Sequence, residues 1–311
     1  MHLDNILIRG CENESELKAV VDLCDRAFQN TSKEYFERHM YKDKTLKPCD
    51  TRVLLKNGKI VSSVQVFPRN IYMNGKIIKM GGIGNVATLP AERERGYAGM
   101  LLIDAIEYMK NRHMLVSMLT TTINKYYEKF GFKTIKRHVF IGGIGEPIRD
   151  DNVRRFEEQR DLRDVMELYE KYNESNTGPI VRDLKYWTSQ LEFSDDDKDL
   201  FLVYETNGKV VAYIRSKRLD NRLKVLEYSF EGKRSELIIT LLKHAMYEAK
   251  MDIIELYVSE KEKSRLSFLS NVHFRTDTDL MATFLDSRLA TGDGEVLFKE
   301  NYVTFWQTDF F

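Results

Sequence analysis

Apolar and polar positions alternate in a pattern that predicts the same β-hairpin twice, about 150 residues apart. In both places two strand-like runs flank an Asn-Gly pair: residues 51–56 and 60–67 around Asn57-Gly58, and residues 200–206 and 210–216 around Asn207-Gly208. Asn-Gly between such runs predicts a tight turn, because both turn positions require a positive φ. The matching pairs indicate one hairpin in each half of the chain.

Helical patterns precede each hairpin in the same order. Each half has a short strand-like run, an amphipathic segment and an aromatic-bearing helical stretch: residues 6–9, 14–28 and 35–38, then residues 154–157, 161–172 and 185–187. The repeated order indicates a duplicated unit that runs strand, helix, helix, hairpin, strand, helix, strand, helix, strand. We therefore expect an α/β (α+β) fold of two tandem domains, each a mixed, largely antiparallel sheet flanked by helices.

A Gly/Pro cluster at residues 142–147, followed by the charged stretch 149–155, marks the junction between the copies. We place the domains at residues 1–145 and 146–311. The chain has five prolines and none after Pro179, so we expect the second half to consist largely of regular elements.

Composition excludes several classes of protein. The 48 basic and 48 acidic residues balance, and 42% of the chain is hydrophobic, which argues against disorder and against a nucleic-acid partner. No apolar run approaches the ~18 residues of a membrane span, and the start lacks a signal-peptide pattern. The cysteines (Cys11, Cys24 and Cys49) and the scattered histidines lack metal-ligand spacing. We expect a cytoplasmic protein with free thiols, no membrane partner and no metal.

The stretch from Gly81 to Leu102 carries the candidate chemistry. A strand with glycines at one end leads through a loop at Pro90 into a helix that begins among arginines and glycines. The helix places one apolar face toward a core: Leu101, Leu102, Ala105, Ile106 and Met109. Unpaired N–H groups at such a helix start favour an anion, and glycines let a phosphate approach. A dinucleotide fingerprint does not fit, because Pro90 lies between the glycines and the helix. A P-loop does not fit either, because the stretch has no Gly-Lys-Ser/Thr.

The run Arg93-Glu94-Arg95-Gly96-Tyr97-Ala98 resembles the (Gln/Arg)-x-x-Gly-x-(Gly/Ala) pyrophosphate motif of the GNAT superfamily of acyl-CoA-dependent N-acyltransferases. The runs Val86-Ala87-Thr88-x-Pro90 and Tyr127-Glu128-Lys129-Phe130-Gly131-Phe132 resemble that superfamily too. The specific likeness covers residues 5–140, whereas the second half matches in pattern and order. An intact copy followed by a degenerate one resembles the enhanced-intracellular-survival type of aminoglycoside N-acetyltransferase, without its third, sterol-carrier-like domain.

The resemblance implies acetyl-CoA as co-substrate and assigns roles to residues. Backbone groups of Val86 and Ala87 would hold the pantetheine arm and polarise the thioester carbonyl. Tyr127 would be the general acid that protonates the departing CoA thiolate, although aromatic packing beside Tyr126 is the alternative. The residues implied in cofactor binding are Val86, Ala87, Thr88, Arg93, Glu94, Arg95, Gly96, Tyr97, Ala98 and Gly99.

The general base is not assigned by the strand that leads into the motif. Residues 81–88 contain no carboxylate, and Thr120 stands where the superfamily often has an asparagine. Enzymes of the enhanced-survival type use the carboxylate of the last residue, which here is Phe311. The alternatives are that Phe310 and Phe311 cover a sheet edge, or that water takes the proton of the amine.

The second copy lacks the corresponding motif. Residues 230–237 contain one glycine, and Leu269 stands four residues before His273, where the first copy has Tyr127 before Gly131. We expect a GNAT-like domain that is not catalytic and that shapes the acceptor site. The acidic run 195–197 is interpreted as a solvated loop, or alternatively as a region that attracts a cationic acceptor.

These observations favour an N-acetyltransferase that moves an acetyl group from acetyl-CoA to a primary amine by direct attack. The acceptor is a small molecule or a peptide, and assembly of identical chains is compatible with the sequence. A CoA-binding sensor or partner-binding module without turnover is the second hypothesis, and a purely structural repeat protein is the third.

Overall fold

The computed structural model describes residues 5–194, 196–263, 265–266, 272–289 and 292–309. The elements of the first half are β1 Ile6–Gly10, α1 Glu14–Ala27, α2 Lys33–Glu37, β2 Thr51–Lys56, β3 Lys59–Met73, β4 Lys76–Thr88, α3 Tyr97–Asn111, β5 Val116–Thr120, α4 Asn124–Glu128, β6 Lys133–Thr134 and β7 Arg137–Gly142. Those of the second half are β8 Val153–Arg155, α5 Glu158–Asn173, α6 Leu184–Phe193, β9 Phe201–Thr206, β10 Lys209–Leu219, β11 Arg222–Phe230, α7 Glu236–Ala249, β12 Ile254–Val258, α8 Glu260–Lys263, β13 Arg275–Asp277 and β14 Leu280–Phe284.

Both predicted hairpins are confirmed. Asn57 and Gly58 have φ of 50° and 78°, and Asn207 and Gly208 have φ of 52° and 77°. Positive φ at both central positions gives a turn whose twist matches that of the paired strands, β2 with β3 and β9 with β10. The order of helices and strands also repeats as predicted, so the α/β (α+β) fold with two mixed sheets flanked by helices is confirmed.

The two sheets exchange strands. Among the described residues each sheet has seven strands, in the orders β1-β2-β3-β4-β5-β14-β6 and β13-β7-β12-β11-β10-β9-β8. Strand β14 of the second half pairs with β5 along five residues and also with β6, and β7 of the first half pairs with β12 and β13. Each half therefore completes its sheet with a strand from the other half. The predicted boundary between residues 145 and 146 stays a prediction, and this exchange crosses it.

The first sheet has a core on each face. Toward α3, a cluster includes Leu101, Leu119, Phe132 and Met281, all no more than 1% exposed. On the other face, Met118 and Leu280 pack with residues of the second half such as Ile180 and Phe193. The predicted apolar face of α3 is confirmed, since Leu101, Leu102, Ala105 and Met109 are fully buried and Ile106 is partly buried against the same core. This packing fixes α3 against the strands that carry the candidate site.

Candidate active site

Strands β4 and β5 separate at the point where the candidate site begins. Their parallel pairing ends at Ile83 and Leu119. On its other side, β4 places Asn85 and Val86 opposite the single residue Val64 of β3, which is a β-bulge. Asn85 has φ of 48° and donates from Nδ2 to Gln65 Oε1 at 2.6 Å. A bulge bends its strand, so the end of β4 turns away from β5 and leaves a gap.

A cleft of about 410 Å³ opens beside this gap. Its lining combines the end of β4, the loop before α3, the end of α1 and the α4 region: Ala27, Phe28, Val86, Ala87, Thr88, Glu92, Arg93, Glu94, Gly96, Tyr97, Ala98, Ile123, Tyr126 and Tyr127. Most residues that the sequence assigns to cofactor binding are thus brought together around one cavity. Arg95 and Gly99 are adjacent in sequence to lining residues.

The loop before α3 has the backbone of an anion site. Glu94 and Gly96 both have positive φ, 63° and 79°, and α3 begins at Tyr97 without a side-chain cap. The first N–H groups of a helix have no partner within it, and the dipole makes this end positive. A Cβ at Gly96 would meet no atom within 4 Å, so its glycine is required by φ and not by crowding. The site suits a phosphate group.

The two arginines of the motif have different contacts. Arg95 is half exposed and its Nε lies 3.2 Å from Glu92 Oε2. Arg93 donates from Nη2 to the carbonyl oxygen of Ala27 at 2.8 Å and from Nε to that of Thr88 at 3.4 Å. Arg93 therefore joins the loop to the end of α1 and to β4, while Arg95 presents its charge at the surface.

Tyr127 lies inside the cleft wall on the short helix α4. Its side chain is 8% exposed, and its ring packs edge-on against Tyr126 and Phe132, with centroids 5.2 and 6.2 Å away. Burial raises the pKa of Tyr127 to about 12, with a smaller contribution from Tyr126. A phenol with this pKa keeps its proton at neutral pH, as a proton donor must.

Sequence reasoning missed several cleft residues. Ala27 and Phe28 end α1, Ile123 precedes α4, and Tyr126 was considered only as a packing partner. The first two are about 60 residues from the motif, so no local pattern connects them with it. Tyr126 could have been predicted as a cleft residue, because it directly precedes Tyr127 in the run that ends with Phe-Gly-Phe.

The carboxylates of the cleft lie in the loop before α3, where a phosphate group would bind. Glu92 and Glu94 are the acidic residues among the described lining, and Glu92 also binds Lys56 at 3.1 Å. The predicted alternative base, Phe311, lies outside the described residues, as does Phe310. Within the described ranges no group of three or more His, Cys, Asp or Glu could hold a metal ion. None of the helices in those ranges has the length and apolar character that a membrane crossing requires.

The second copy has the corresponding strand separation, and Trp306 of the C-terminal segment packs beside it. Strands β11 and β12 pair only from Leu223 to Val225 with Ile254 to Leu256. Beyond this point the Trp306 ring packs on Tyr228 with centroids 5.0 Å apart, and Trp306 Nε1 donates to Asn173 Oδ1 at 2.9 Å. A cavity of about 10 Å³, the size of one water or less, lies between residues 303–306 and β12, whereas a cavity of about 260 Å³ lies between α5 and the loop after β11.

Buried ion pairs anchor this C-terminal segment. Arg182 Nη2 lies 2.7 Å from Asp309 Oδ2 and also binds Glu227 of β11, with all three side chains at 0% exposure or nearly so. Tyr186 donates to Asp309 Oδ1 at 3.1 Å. Burial alone would raise the pKa of Glu227, but Arg182 and Arg215 lower it below its ordinary value. The charge of Glu227 is thus retained inside the second copy, whereas burial raises the pKa of Asp309.

The interpretation of residues 195–197 as a solvated loop was wrong for Asp196. Asp196 is 7% exposed and accepts from Arg215 Nε at 3.0 Å, and Arg215 lowers its pKa despite burial. Asp197 lies 3.0 Å from Arg218 Nη1. Asp195 is outside the described residues, as is Leu269 of the predicted degenerate motif. A run of three acids gives no local sign that a buried arginine from β10 will pair with one of them.

Comparisons with known proteins agree with this architecture. Residues 9–135 match the family model of the acetyltransferase (GNAT) domain, and no curated protein matches the chain in sequence. A probable N-acyltransferase from Enterococcus faecalis V583 is 15% identical with a TM-score of 0.70, over 96% of this chain and 75% of that one. Eis1 from Mycobacterium abscessus is 14% identical with a TM-score of 0.67, over 92% and 75%.

Another similar structure is Saccharomyces cerevisiae N-myristoyltransferase with bound myristoyl-CoA. It is 13% identical with a TM-score of 0.60, over 91% of this chain and 79% of that one. At these identities the likeness establishes the fold, while the family model matches the part of the chain that bears the cleft. Residues 9–135 thus match the model of the GNAT acetyltransferase domain, and the chain as a whole has the fold of two GNAT-like domains in tandem.

Proposed function

We propose that this protein is an N-acetyltransferase that transfers the acetyl group of acetyl-CoA to a primary amine, in a small molecule or a peptide, by direct attack. The observation that carries the proposal is one cleft in which the β4 bulge, the loop with positive φ at Glu94 and Gly96, and Tyr127 meet. The loop and the tyrosine both line this cavity, which supports a ligand that carries both a phosphate and a thioester.

In this mechanism the loop and the start of α3 hold the pyrophosphate, and the edge of β4 at Val86–Thr88 binds the pantetheine arm. A backbone N–H of Val86 or Ala87 stabilises the oxyanion that forms when the neutral amine attacks the thioester carbonyl. The C–S bond then breaks, and Tyr127 donates its proton to the CoA thiolate. Its high pKa supports this role because the proton is present at neutral pH.

The amine must lose a proton in the same reaction. The carboxylate of Phe311 is our candidate acceptor, as the resemblance to enzymes of the enhanced-survival type implies. Deleting Phe311 tests this assignment: kcat falls if the carboxylate takes the proton and is unchanged if water takes it. Cytoplasmic location is part of the proposal, supported by the three free cysteines and by a metabolite as co-substrate.

The experiment is a panel of amines incubated with acetyl-CoA, with CoA release followed by a thiol reagent. We expect turnover with at least one amine, and a loss of about 10²- to 10⁴-fold in kcat for Tyr127→Phe with unchanged acetyl-CoA affinity. Tyr247→Phe is the control, since Tyr247 is 47% exposed on α7. Acetyl-CoA binding without turnover on any amine would instead favour the sensor or partner-binding hypothesis.

A further inference from the structure

The helix that carries Tyr127 is too short to hold its own position. Helix α4 has five residues, Asn124–Glu128, and no side-chain cap at its start. Isolated helices of this length are unstable in water, so external contacts must fix α4. Tyr127 supplies some of these through its packing on Phe132. Rotation of the ring about that contact would still move the hydroxyl.

The described polar contacts that tie α4 to neighbouring elements converge on Asn124. Its Nδ2 donates to Thr134 Oγ1 of β6 and to the carbonyl oxygen of Thr278, both at 2.8 Å. Thr278 lies in the turn between β13 and β14, in the second copy. The chain just before α4 is bound to the same turn, because Thr121 N donates to Asp279 O at 2.8 Å.

This turn is held firmly by both sheets. Asp277 on its β13 side accepts from Arg137 Nη2 at 2.7 Å, and both side chains are buried. Leu280 on its β14 side is fully buried and pairs with Thr120 at the end of β5. The strand exchange thus places a fixed carbonyl from the second copy beside the helix that carries the tyrosine.

We infer that Asn124 is a positioning residue: its amide links α4 to the Thr278 carbonyl of the second copy and so holds Tyr127 toward the thioester. This assignment rests on the proposed function for its catalytic consequence, whereas the position of Tyr127 can be measured without turnover. It also gives the second copy, which lacks the phosphate-loop motif of the first, a part in the reaction.

Asn124→Asp separates the two hydrogen bonds. An aspartate at 124 accepts from the Thr134 hydroxyl, but it cannot donate to the Thr278 carbonyl. A carboxylate at the first position of a helix also interacts favourably with its dipole, so intrinsic helix stability is not reduced. Thr134→Val does the reverse, because it removes the partner in β6 and leaves the bond to Thr278. Asn221→Asp, in an exposed turn of the second copy, is the matched control.

We expect Asn124→Asp to lower kcat by about 2- to 10-fold, the range expected for one hydrogen bond lost at an exposed position, with acetyl-CoA affinity within about twofold. Thr134→Val should have a smaller effect, and Asn221→Asp none. The direct readout is NMR of tyrosine-labelled protein, in which Tyr127→Phe identifies the signal. In Asn124→Asp that signal should shift.

An unchanged Tyr127 signal in Asn124→Asp overturns the inference. So does a general loss of folding and of acetyl-CoA binding, which would make Asn124 merely structural. If Tyr127→Phe keeps full activity, the general-acid role fails, but the NMR signal still decides whether Asn124 positions the ring. The two failures are therefore distinguishable.

Discussion

Separating the two halves at residues 145 and 146 should prevent the first half from folding. A fragment of residues 1–145 lacks β14, whose Leu280, Met281 and Ala282 are all 0% exposed in the whole chain. Burial of the Leu and Met side chains is worth roughly 1.5–3 kcal/mol each. The five-residue pairing with β5 adds hydrogen bonds of about 0.5–1.5 kcal/mol each. Together these contributions are comparable with the free energy of unfolding of a typical domain, which is about 5–15 kcal/mol.

The assay is expression of residues 1–145 and 146–311 alone and together, followed by thermal unfolding and acetyl-CoA titration. We expect neither fragment to melt cooperatively alone, since 146–311 lacks β7, and we expect co-expression to restore both properties. The reasoning is refuted if residues 1–145 alone unfold cooperatively at the temperature of the whole chain and bind acetyl-CoA equally well.

Single substitutions make the same test in the intact chain. Met281 is fully buried in the core of the first copy, and Met246 is fully buried in that of the second. Each Met→Ala change should cost about 2–5 kcal/mol. Hydrogen exchange should increase mainly in β5 and α4 for Met281→Ala and mainly in β10 and β11 for Met246→Ala. Increased exchange confined to the second copy for both variants would contradict the strand exchange.

Three further predictions concern the loop, the buried ion pairs and pH. Gly96→Ala should weaken acetyl-CoA binding in titration, while Gly232→Ala, with a similar φ of 61° and equally open space in the second copy, should not. Arg182→Met should cost about 3–5 kcal/mol in denaturant unfolding, because Glu227 and Asp309 are left buried without their cation. Burial lowers the pKa of His244, whose Nδ1 accepts from Asp150 N at 3.0 Å. Since the unfolded state then binds the proton more readily, stability should fall as pH drops below about 6.5, and His244→Gln should reduce that slope in unfolding measured against pH.

The features that could be predicted from the sequence are those set by neighbouring residues. The hairpins follow from Asn-Gly pairs, and the buried face of α3 follows from its periodicity. The phosphate loop could be located because its residues are contiguous. The sequence also indicated that the second copy lacks this loop.

The features that could not be predicted depend on which distant partner is available. Strands β7 and β14 are short and carry buried apolar side chains, so either sheet could accept them, and only the tertiary arrangement selects the other copy. The burial of Asp196 depends on Arg215, nineteen residues away. The contact of Asn124 with Thr278 spans 154 residues and ends on a carbonyl oxygen, which every residue type offers.

The central claim is that one of two GNAT-like copies binds acyl-CoA, and a crystal structure of the chain soaked with CoA tests it most directly. We expect one CoA in the first copy, with its pyrophosphate on the backbone of residues 94–99, its pantetheine arm along Val86–Thr88 and its sulfur near the Tyr127 hydroxyl. CoA bound in the second copy, between β11 and β12 in place of Trp306, or CoA absent from the cleft of the first copy, would contradict the account.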